Sequence, residues 1–388
     1  MKLDSAEVAI IGGGVSGLSS AYFLADAGVN VVVIEKGLIG GEASGRNGGS
    51  MSPRADEPFA IPMATRARET WLTLHEELGY PTEFIHEGRL QVAMREEEMD
   101  LVKAMAVNAP RYGVEARVVE AEDIRSIVPE VTDKALGGMY FPNAGHANPQ
   151  RAVQAYAWAC QDRGGRIYQG TAVTGIEMSG GRVRGVHTTR GPVSADVVVS
   201  AAGPQSGLVG DMVGLHVPVA PGRVEIIATV PLEPRFDTYI AGNGLYGRQT
   251  LRGNLVFGGG PHEWIDVALE ESPPKPNTPL VRNISRRLAE LFPVLEDVRV
   301  LRSWAGVVEQ TPDGIPIIDK VNDPEGFVIV SASGNGFGLS PATGLAVKEL
   351  IVDGECAVDI SAFRFDRLRR VPRDWRKTWS WQPGAYST

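Results

Sequence analysis

Val8-Ala9-Ile10-Ile11 runs straight into Gly12-Gly13-Gly14-Val15-Ser16-Gly17-Leu18, an order of residues that few folds accept. A continuous aliphatic run predicts a strand buried on both faces, as in a parallel sheet. The glycines predict a tight turn into a helix reaching about Ala27, with Gly28 as its stop signal. Val31-Val32-Val33-Ile34 predicts a second buried strand, which completes a βαβ unit. Gly12-x-Gly14-x-x-Gly17 has the dinucleotide-binding spacing. Gly12 permits the turn, Gly14 lets backbone approach a pyrophosphate, and Gly17 lets helix and strand pack closely. Partial positive charge at the helix N-terminus favours the phosphates. Glu35, ending the second strand, is placed to accept ribose hydroxyls.

At 388 residues the chain has room for two domains, or for one core with an insertion. Its 43% hydrophobic and 22% charged residues are those of a soluble globular protein. No apolar stretch approaches the ~20 residues of a bilayer-crossing helix. A formal charge of −9 argues against a nucleic-acid surface. Cys160 and Cys356 cannot form a disulfide framework and lack the paired spacing of a metal or iron–sulfur site. Met1 leads almost directly into the first strand, so a reducing cytoplasm is expected.

Apolar periodicity predicts helices around 64–78 and 95–107. Asn148 is expected to cap a helix that begins at Pro149, stops at Gly164 and buries Cys160 in the core. From 166 to 203 the pattern is a meander, with turns at Gly180-Gly181 and Arg190-Gly191 and a buried strand at 196–200. Residues 215–262 are mostly strand-like. The proline-rich stretch 272–279 reads as a stiff connector before a helix carrying Val281, Ile284, Leu288 and Leu291.

Two further glycine loops carry chemistry. Gly40 to Gly49 follows the second strand directly, with Arg46 as its cation and many free amides. Such a loop suits the pyrophosphate and flavin end of a long cofactor, whereas a nicotinamide dehydrogenase would continue its βαβ pattern here. Near the other end, a strand at 327–330 runs into Ser331 to Gly338, and a helix is expected to start with Ser340 as cap and Pro341 at its first position. Its amides could reach flavin ring oxygens, and a cofactor domain built from separated segments follows.

Together these pieces resemble the FAD-dependent amine and amino-acid oxidoreductases that include D-amino-acid, glycine and sarcosine oxidases. The matching residues are Gly12 to Gly17 with Glu35, Gly45 to Gly49, Val199 to Gly203, Trp304-Ala305-Gly306, Thr311 to Ile317 and Gly334 to Gly344. Gly145 to Pro149 and Tyr246 to Thr250 look more like the FAD subunits of multisubunit proline, hydroxyproline and opine dehydrogenases and of hydrogen cyanide synthase. The resemblance implies an α/β (α+β) chain with a glutathione-reductase-like FAD domain over residues 1–84, 144–215 and 302–370. It also implies a substrate domain with an antiparallel sheet over 85–143 and 216–301, and a tail at 371–388. Cofactor contacts implied are Gly12, Gly14, Val15, Ser16, Gly17, Glu35 and Lys36 in the first unit, and Ser44, Gly45, Arg46, Asn47, Gly48 and Gly49 in the loop. Val173, Ala202, Gly203, Gly306, Gly334, Asn335, Gly336, Phe337, Gly338 and Leu339 complete the set.

The chain departs from that family in two places. Glycine oxidases carry a carboxylate-binding arginine where Val308 stands here, and monomeric sarcosine oxidases attach FAD through a cysteine that 305–310 lacks. The flavin is therefore expected to be non-covalent. The expected reaction is oxidation of the C–N bond of a secondary or N-substituted amino acid, with the imine hydrolysed. A 2-hydroxy-acid dehydrogenase and a flavin-holding subunit inactive by itself are the alternatives. Arg248 is the expected carboxylate anchor, with Tyr246 as a hydrogen-bond donor, His146 near the reacting amine, and Arg223 and Arg252 in reserve. No lysine occurs in 255–262 to assist oxygen, and only His262, if protonated, could replace it. From Ser361 on, seven basic residues face two acidic ones, with Trp375, Trp379 and Trp381 among them. Exposed tryptophan and arginine of this kind suit a partner subunit, one that could carry an iron–sulfur centre.

Overall fold

In the computed structural model, residues 4–52, 60–268 and 275–377 are described. Trp379, Trp381 and residues 272–274 of the proline-rich connector lie outside them. Val8–Ile11 and Val31–Ile34 are strands in which every residue is buried, and they pair in parallel with Ile10 opposite Val33. They sit within a six-stranded sheet ordered Ile317–Lys320, Phe327–Ser331, Val197–Ser200, Val8–Ile11, Val31–Ile34, Arg166–Tyr168. Every neighbouring pair is parallel except the first. Burial on both faces explains the unbroken aliphatic runs. Val8 and Ile10 pack under the helices Val15–Asp26, Pro149–Asp162 and Gly336–Lys348. Ala9 and Ile11 face a small four-stranded sheet that contains the hairpin Val173–Ser179/Arg182–Thr188. Gly180 and Gly181 both have positive φ in that hairpin's turn, which side-chain-bearing residues resist.

Local signals place most helices well. Asn148 Oδ1 accepts from Arg151 N–H at 3.3 Å and Pro149 opens the helix. Cys160 is fully buried, and burial pushes its thiol pKa up to about 12, so it is an inert core residue. The expected helices near 64–78 and 95–107 run Ile61–Glu77 and Glu96–Arg111. The last helix differs from expectation, because it begins at Gly336 and Pro341 lies inside it. Packing outranks the Ser-Pro start signal here. Phe337 lies against Trp71 with ring centroids 6.0 Å apart, and the Trp71 indole N–H donates to Gly338 O at 3.3 Å. Ser340 is buried against the Tyr156 hydroxyl at 3.3 Å and caps nothing.

The second sheet has eight strands, ordered Val300–Gln310, Ala220–Pro231, Asn254–Trp264, Leu245–Gln249, Tyr239–Gly242, Arg89–Ala93, Gly137–Phe141, Arg117–Glu120. Only Tyr239–Gly242 and Arg89–Ala93 pair in parallel. One face buries Leu90, Val92, Ile240 and Phe257 against the helix Thr278–Leu291. Val300–Gln310 bonds along its length to Ala220–Pro231, so a domain boundary at 302 would cut through a strand.

The chain's last described stretch also departs from expectation. Trp375 is buried, edge-on to Trp264 with centroids 6.0 Å apart. Arg373 pairs with Asp211 at 2.9 Å and Arg376 with Asp266 at 3.0 Å. Up to Lys377 the tail packs on its own chain, because the apolar ring gains more from Trp264 than from water. That overturns the expected exposure of Trp375, while Trp379 and Trp381 lie outside the described residues.

Candidate active site

A cavity of about 950 Å³ lies between the carboxyl ends of the parallel strands and the free face of the eight-stranded sheet. Ligands of open α/β sheets bind at such strand ends. Gly12, Glu35, Ala202 and Ala332 line it there, each just past a strand.

One wall is largely backbone. Gly14 caps the helix Val15–Asp26 and Asn335 caps Gly336–Lys348, neither with a side-chain hydrogen bond, so two helix N-termini open on the same cavity. The three motif glycines do different work. A Cβ on Gly12, whose φ is +111°, would stand 2.3 Å from Ala201 O, and one on Gly17 would stand 2.1 Å from Gly12 O. At Gly14 a Cβ would meet only Ser44 Oγ, at 3.0 Å, because that position faces the cavity. The Glu35 carboxylate accepts Gly13 N–H at 2.7 Å and Gly37 N–H at 2.6 Å, which orients it while leaving lone pairs for further donors. Ser44 Oγ takes the Val15 amide at 2.9 Å.

The loop after the second strand is held from both sides. Arg46 Nε donates to Gly41 O at 2.6 Å and its Nη1 to Ala305 O at 2.9 Å, while Trp304 Nε1–H donates to Arg46 O at 3.0 Å. Asn47 accepts Gly49 N–H at 2.7 Å. Lys36 stands 4.0 Å from Glu42, whose carboxyl is pushed up by burial against the pull of Lys36 and Arg46. Among the expected cofactor residues, Val15, Ser16, Glu35, Lys36, Ser44, Arg46, Asn47, Gly48 and Gly49 line the cavity. So do Val173, Gly203 and Gly306, and so do Gly334, Asn335, Gly336, Phe337, Gly338 and Leu339. Gly17 and Gly45 do not. Gly45 is a packing glycine whose Cβ would stand 2.1 Å from Gln150 Oε1.

The opposite wall is made of side chains. Sheet register puts Arg89 and Gln91, Tyr239 and Ala241, and Tyr246 on the cavity face, with Phe141 beside Arg89. Tyr246 was expected in this wall; Tyr239, Arg89 and Gln91 were not. The period-two pattern Arg89-Leu90-Gln91-Val92 carried that signal, since it predicts a strand with one polar face. Burial raises both phenols, Tyr246 to about 12, so both are protonated donors near neutral pH. Val308 lines the cavity without charge.

Arg248 and His146 do not line the cavity. Arg248 is buried under the glycine loop, and its Nε donates to Gly48 O at 3.1 Å, which braces that loop. Among the reserves, Arg223 pairs with Glu263, and neither it nor Arg252 lines the cavity. His146 is buried, with Nε2 2.7 Å from Asp237 O. Burial and the nearby Arg248 push its pKa down to about 4. His262 does line the cavity, but burial and Arg287 lower its pKa to about 4 as well. It is neutral at neutral pH and supplies no fixed cation.

A βαβ dinucleotide cradle facing a largely antiparallel sheet across one cavity is the architecture of a dinucleotide-dependent oxidoreductase. The model of the FAD dependent oxidoreductase family matches residues 7–350, and the chain belongs to that family. It is an FAD-dependent enzyme, and its two open helix N-termini, glycine loop and oriented Glu35 fit that cofactor. Sarcosine oxidase subunit beta of Rhodobacter capsulatus is 30% identical over 357 residues, covering 90% of this chain and 85% of the relative. The crystal structure of glycine oxidase from Geobacillus kaustophilus superposes with a TM-score of 0.87 at 27% identity, over 94% of this chain and 99% of that one. L-proline dehydrogenase from P. horikoshii gives 0.84 at 27% identity, over 93% and 97%. No described helix is long and apolar enough to cross a membrane.

Proposed function

We propose that the chain oxidises the C–N bond of a secondary or N-substituted amino acid. Bound non-covalently, FAD supplies the acceptor for a hydride from the carbon beside nitrogen, leaving an imine that water hydrolyses. Gly14 to Ser16 would hold the diphosphate, Glu35 and Val173 the adenosine end, and the loops 46–49 and 334–339 the ring. Tyr246 would donate to the substrate.

The observation carrying this reading is the acid–base character of the substrate wall. Its phenols are protonated, and His262, with its pKa down to about 4, is too weak a base to take an alcohol proton. An amine needs no such base once it is neutral, because its lone pair drives hydride departure. Orientation is then what the protein must supply. Anaerobic mixing with N-methyl amino acids, cyclic secondary amino acids and 2-hydroxy acids tests the point. Flavin bleaching by the amines, faster as pH rises toward the substrate amine's own pKa, is expected. Bleaching by hydroxy acids alone would overturn it.

A second proposal concerns electron transfer. With His262 neutral and no lysine in 255–262, electrostatic help for oxygen reduction is weak. We propose that electrons leave to another acceptor, through a partner subunit that could carry an iron–sulfur centre. The similarity to a protein named as a beta subunit supports the partner subunit, and the choice of acceptor rests on the missing cation alone. Hydrogen peroxide release matching the rate of dye reduction would overturn it. The two unbridged cysteines agree with a reducing, cytoplasmic setting.

A further inference from the structure

We infer that the Glu309 carboxyl holds a hydroxyl of the cofactor's ribityl chain. This rests on the placement of FAD proposed above, and it adds an acid that neither the glycine spacing nor the resemblance singles out.

Glu309 is next to last in the strand Val300–Gln310, opposite Pro221 of the neighbouring strand, and its side chain reaches the other sheet. Its Oε1 accepts Ala332 N–H at 2.8 Å, just past Phe327–Ser331. Its Oε2 would stand 3.7 Å from a Cβ on Gly203, just past Val197–Ser200. The residue is 7% exposed and lines the cavity. Among the described residues no arginine or lysine pairs with it. Burial raises its pKa, opposed by the amides of Ala332 and of Glu309 itself. A buried acid without a cation, open to a cavity, calls for a ligand group that can donate to it. A hydroxyl does so, and it can also accept from the protonated acid, so it suits either state. A phosphate oxygen only accepts, and its negative charge would be repelled by the carboxylate.

Strand order tells which hydroxyls these are. In the parallel sheet Phe327–Ser331, Val197–Ser200, Val8–Ile11 and Val31–Ile34 are successive neighbours. Their ends present Ala332, Gly203, Gly12 and Glu35 in that order along one wall of the cavity. With the adenosine at Glu35 and the diphosphate over the turn at Gly12 to Gly14, the next part of an extended FAD would be its ribityl chain. That chain would fall at the gap between Gly203 and Ala332, which Glu309 spans. The gap lies one to two strand spacings beyond Gly12, roughly 5–10 Å, which a polyol of a few carbons can cover. The adenosine's own ribose hydroxyls would lie on the other side of the diphosphate, with Glu35. Gln310 Oε1 accepts from the Ser333 hydroxyl at 3.3 Å, so the same strand end is fastened to the loop after Ser331 at a second point.

Reconstituting the full chain with FAD, or with FAD lacking one ribityl hydroxyl at a time, tests the contact without turnover. The dissociation constant is read from flavin fluorescence. One of these analogues should bind the wild-type chain about 10-fold more weakly than FAD, the loss of one hydrogen bond to an acid. Glu309→Ala should weaken FAD by about the same factor, and should bind FAD and that analogue within about twofold of each other. Glu309→Gln keeps an acceptor for Ala332 N–H and a donor for the hydroxyl, so it should stay within about fivefold of the wild type. ADP, which has no ribityl chain, should bind all three proteins alike. A wild-type chain that binds every analogue as tightly as FAD would overturn the inference, and that result needs no variant to fold. So would a Glu309→Ala chain that still rejects the same analogue about tenfold, or one that loses ADP as much as FAD. The placement of the diphosphate fails separately, if Gly14→Leu binds ADP as the wild-type chain does.

Discussion

The two walls of the cavity are built from different chemistry. On the cofactor wall the chain presents backbone, as amides of two helix starts and glycines that allow close approach, and side chains such as Arg46, Asn47 and Ser44 mostly hold that backbone in place. On the opposite wall, the proposed substrate side, a sheet face presents Arg89, Gln91, Tyr239 and Tyr246 directly. Backbone recognition reads phosphates and ring edges that are the same in every FAD. Side-chain recognition has to be respecified for each substrate. Substitutions on the first wall should therefore remove the cofactor, and those on the second should change affinity while the flavin stays.

Gly14→Leu is the largest expected effect. The added Cβ meets only Ser44 and the position faces the cavity, so the fold should survive while flavin binding falls by at least about 100-fold. A colourless protein with wild-type circular dichroism is the expected result, and a yellow one would break the contrast between the walls. Acid precipitation of the wild-type enzyme should leave all flavin in the supernatant, since neither cysteine lines the cavity.

Arg248→Met asks whether a residue covered by the glycine loop acts like one that lines the cavity. Loss of its bond to Gly48 O should cost stability of about 1.5–3 kcal/mol, seen as a lower melting temperature, with KM changed little. A tenfold rise in KM at unchanged melting temperature would return Arg248 to the substrate. Tyr246→Phe should be milder. One neutral donor is worth about 0.5–1.5 kcal/mol, so KM should rise roughly two- to tenfold with flavin content intact.

The last effect is a pH dependence, which appears only in acid. His146 and His262 have folded pKa values of about 4 against 6.5 for the free side chain. Between those values the unfolded chain binds more protons, so this part of the stability is present above about pH 6.5 and is lost as pH falls toward 4. Glu309, raised by burial, has the opposite sign, so the histidine share is best isolated by substitution. In His146→Asn the melting temperature should fall less steeply between pH 7 and 4.5 than in the wild-type chain. Equal slopes would show that His146 is not held neutral.

Local signals carried far in this chain where structure is made by neighbours in sequence. Val8 to Glu35 could be read outright, because a βαβ unit needs only adjacent residues and its glycines act at fixed offsets. Asn148 was legible as a cap for the same reason. The start of the last helix was not, because Phe337 and Gly338 answer to Trp71, far away in the chain. Nor was Trp375, whose partner Trp264 lies on another strand.

The amino-acid order by itself determined the dinucleotide cradle and the FAD family, since the turn, the helix start and the acid at the strand end lie within one short segment. Only the tertiary structure decided which cations face the cavity. Tyr246 and Arg248 are two apart on one strand and look equivalent in sequence, yet the glycine loop packs over the second and leaves the first open. Arg89 enters the wall because its strand pairs with Tyr239–Gly242, a contact between segments remote in the chain. Strand order, which spacing does not encode, is what turns an alternating pattern into a binding face.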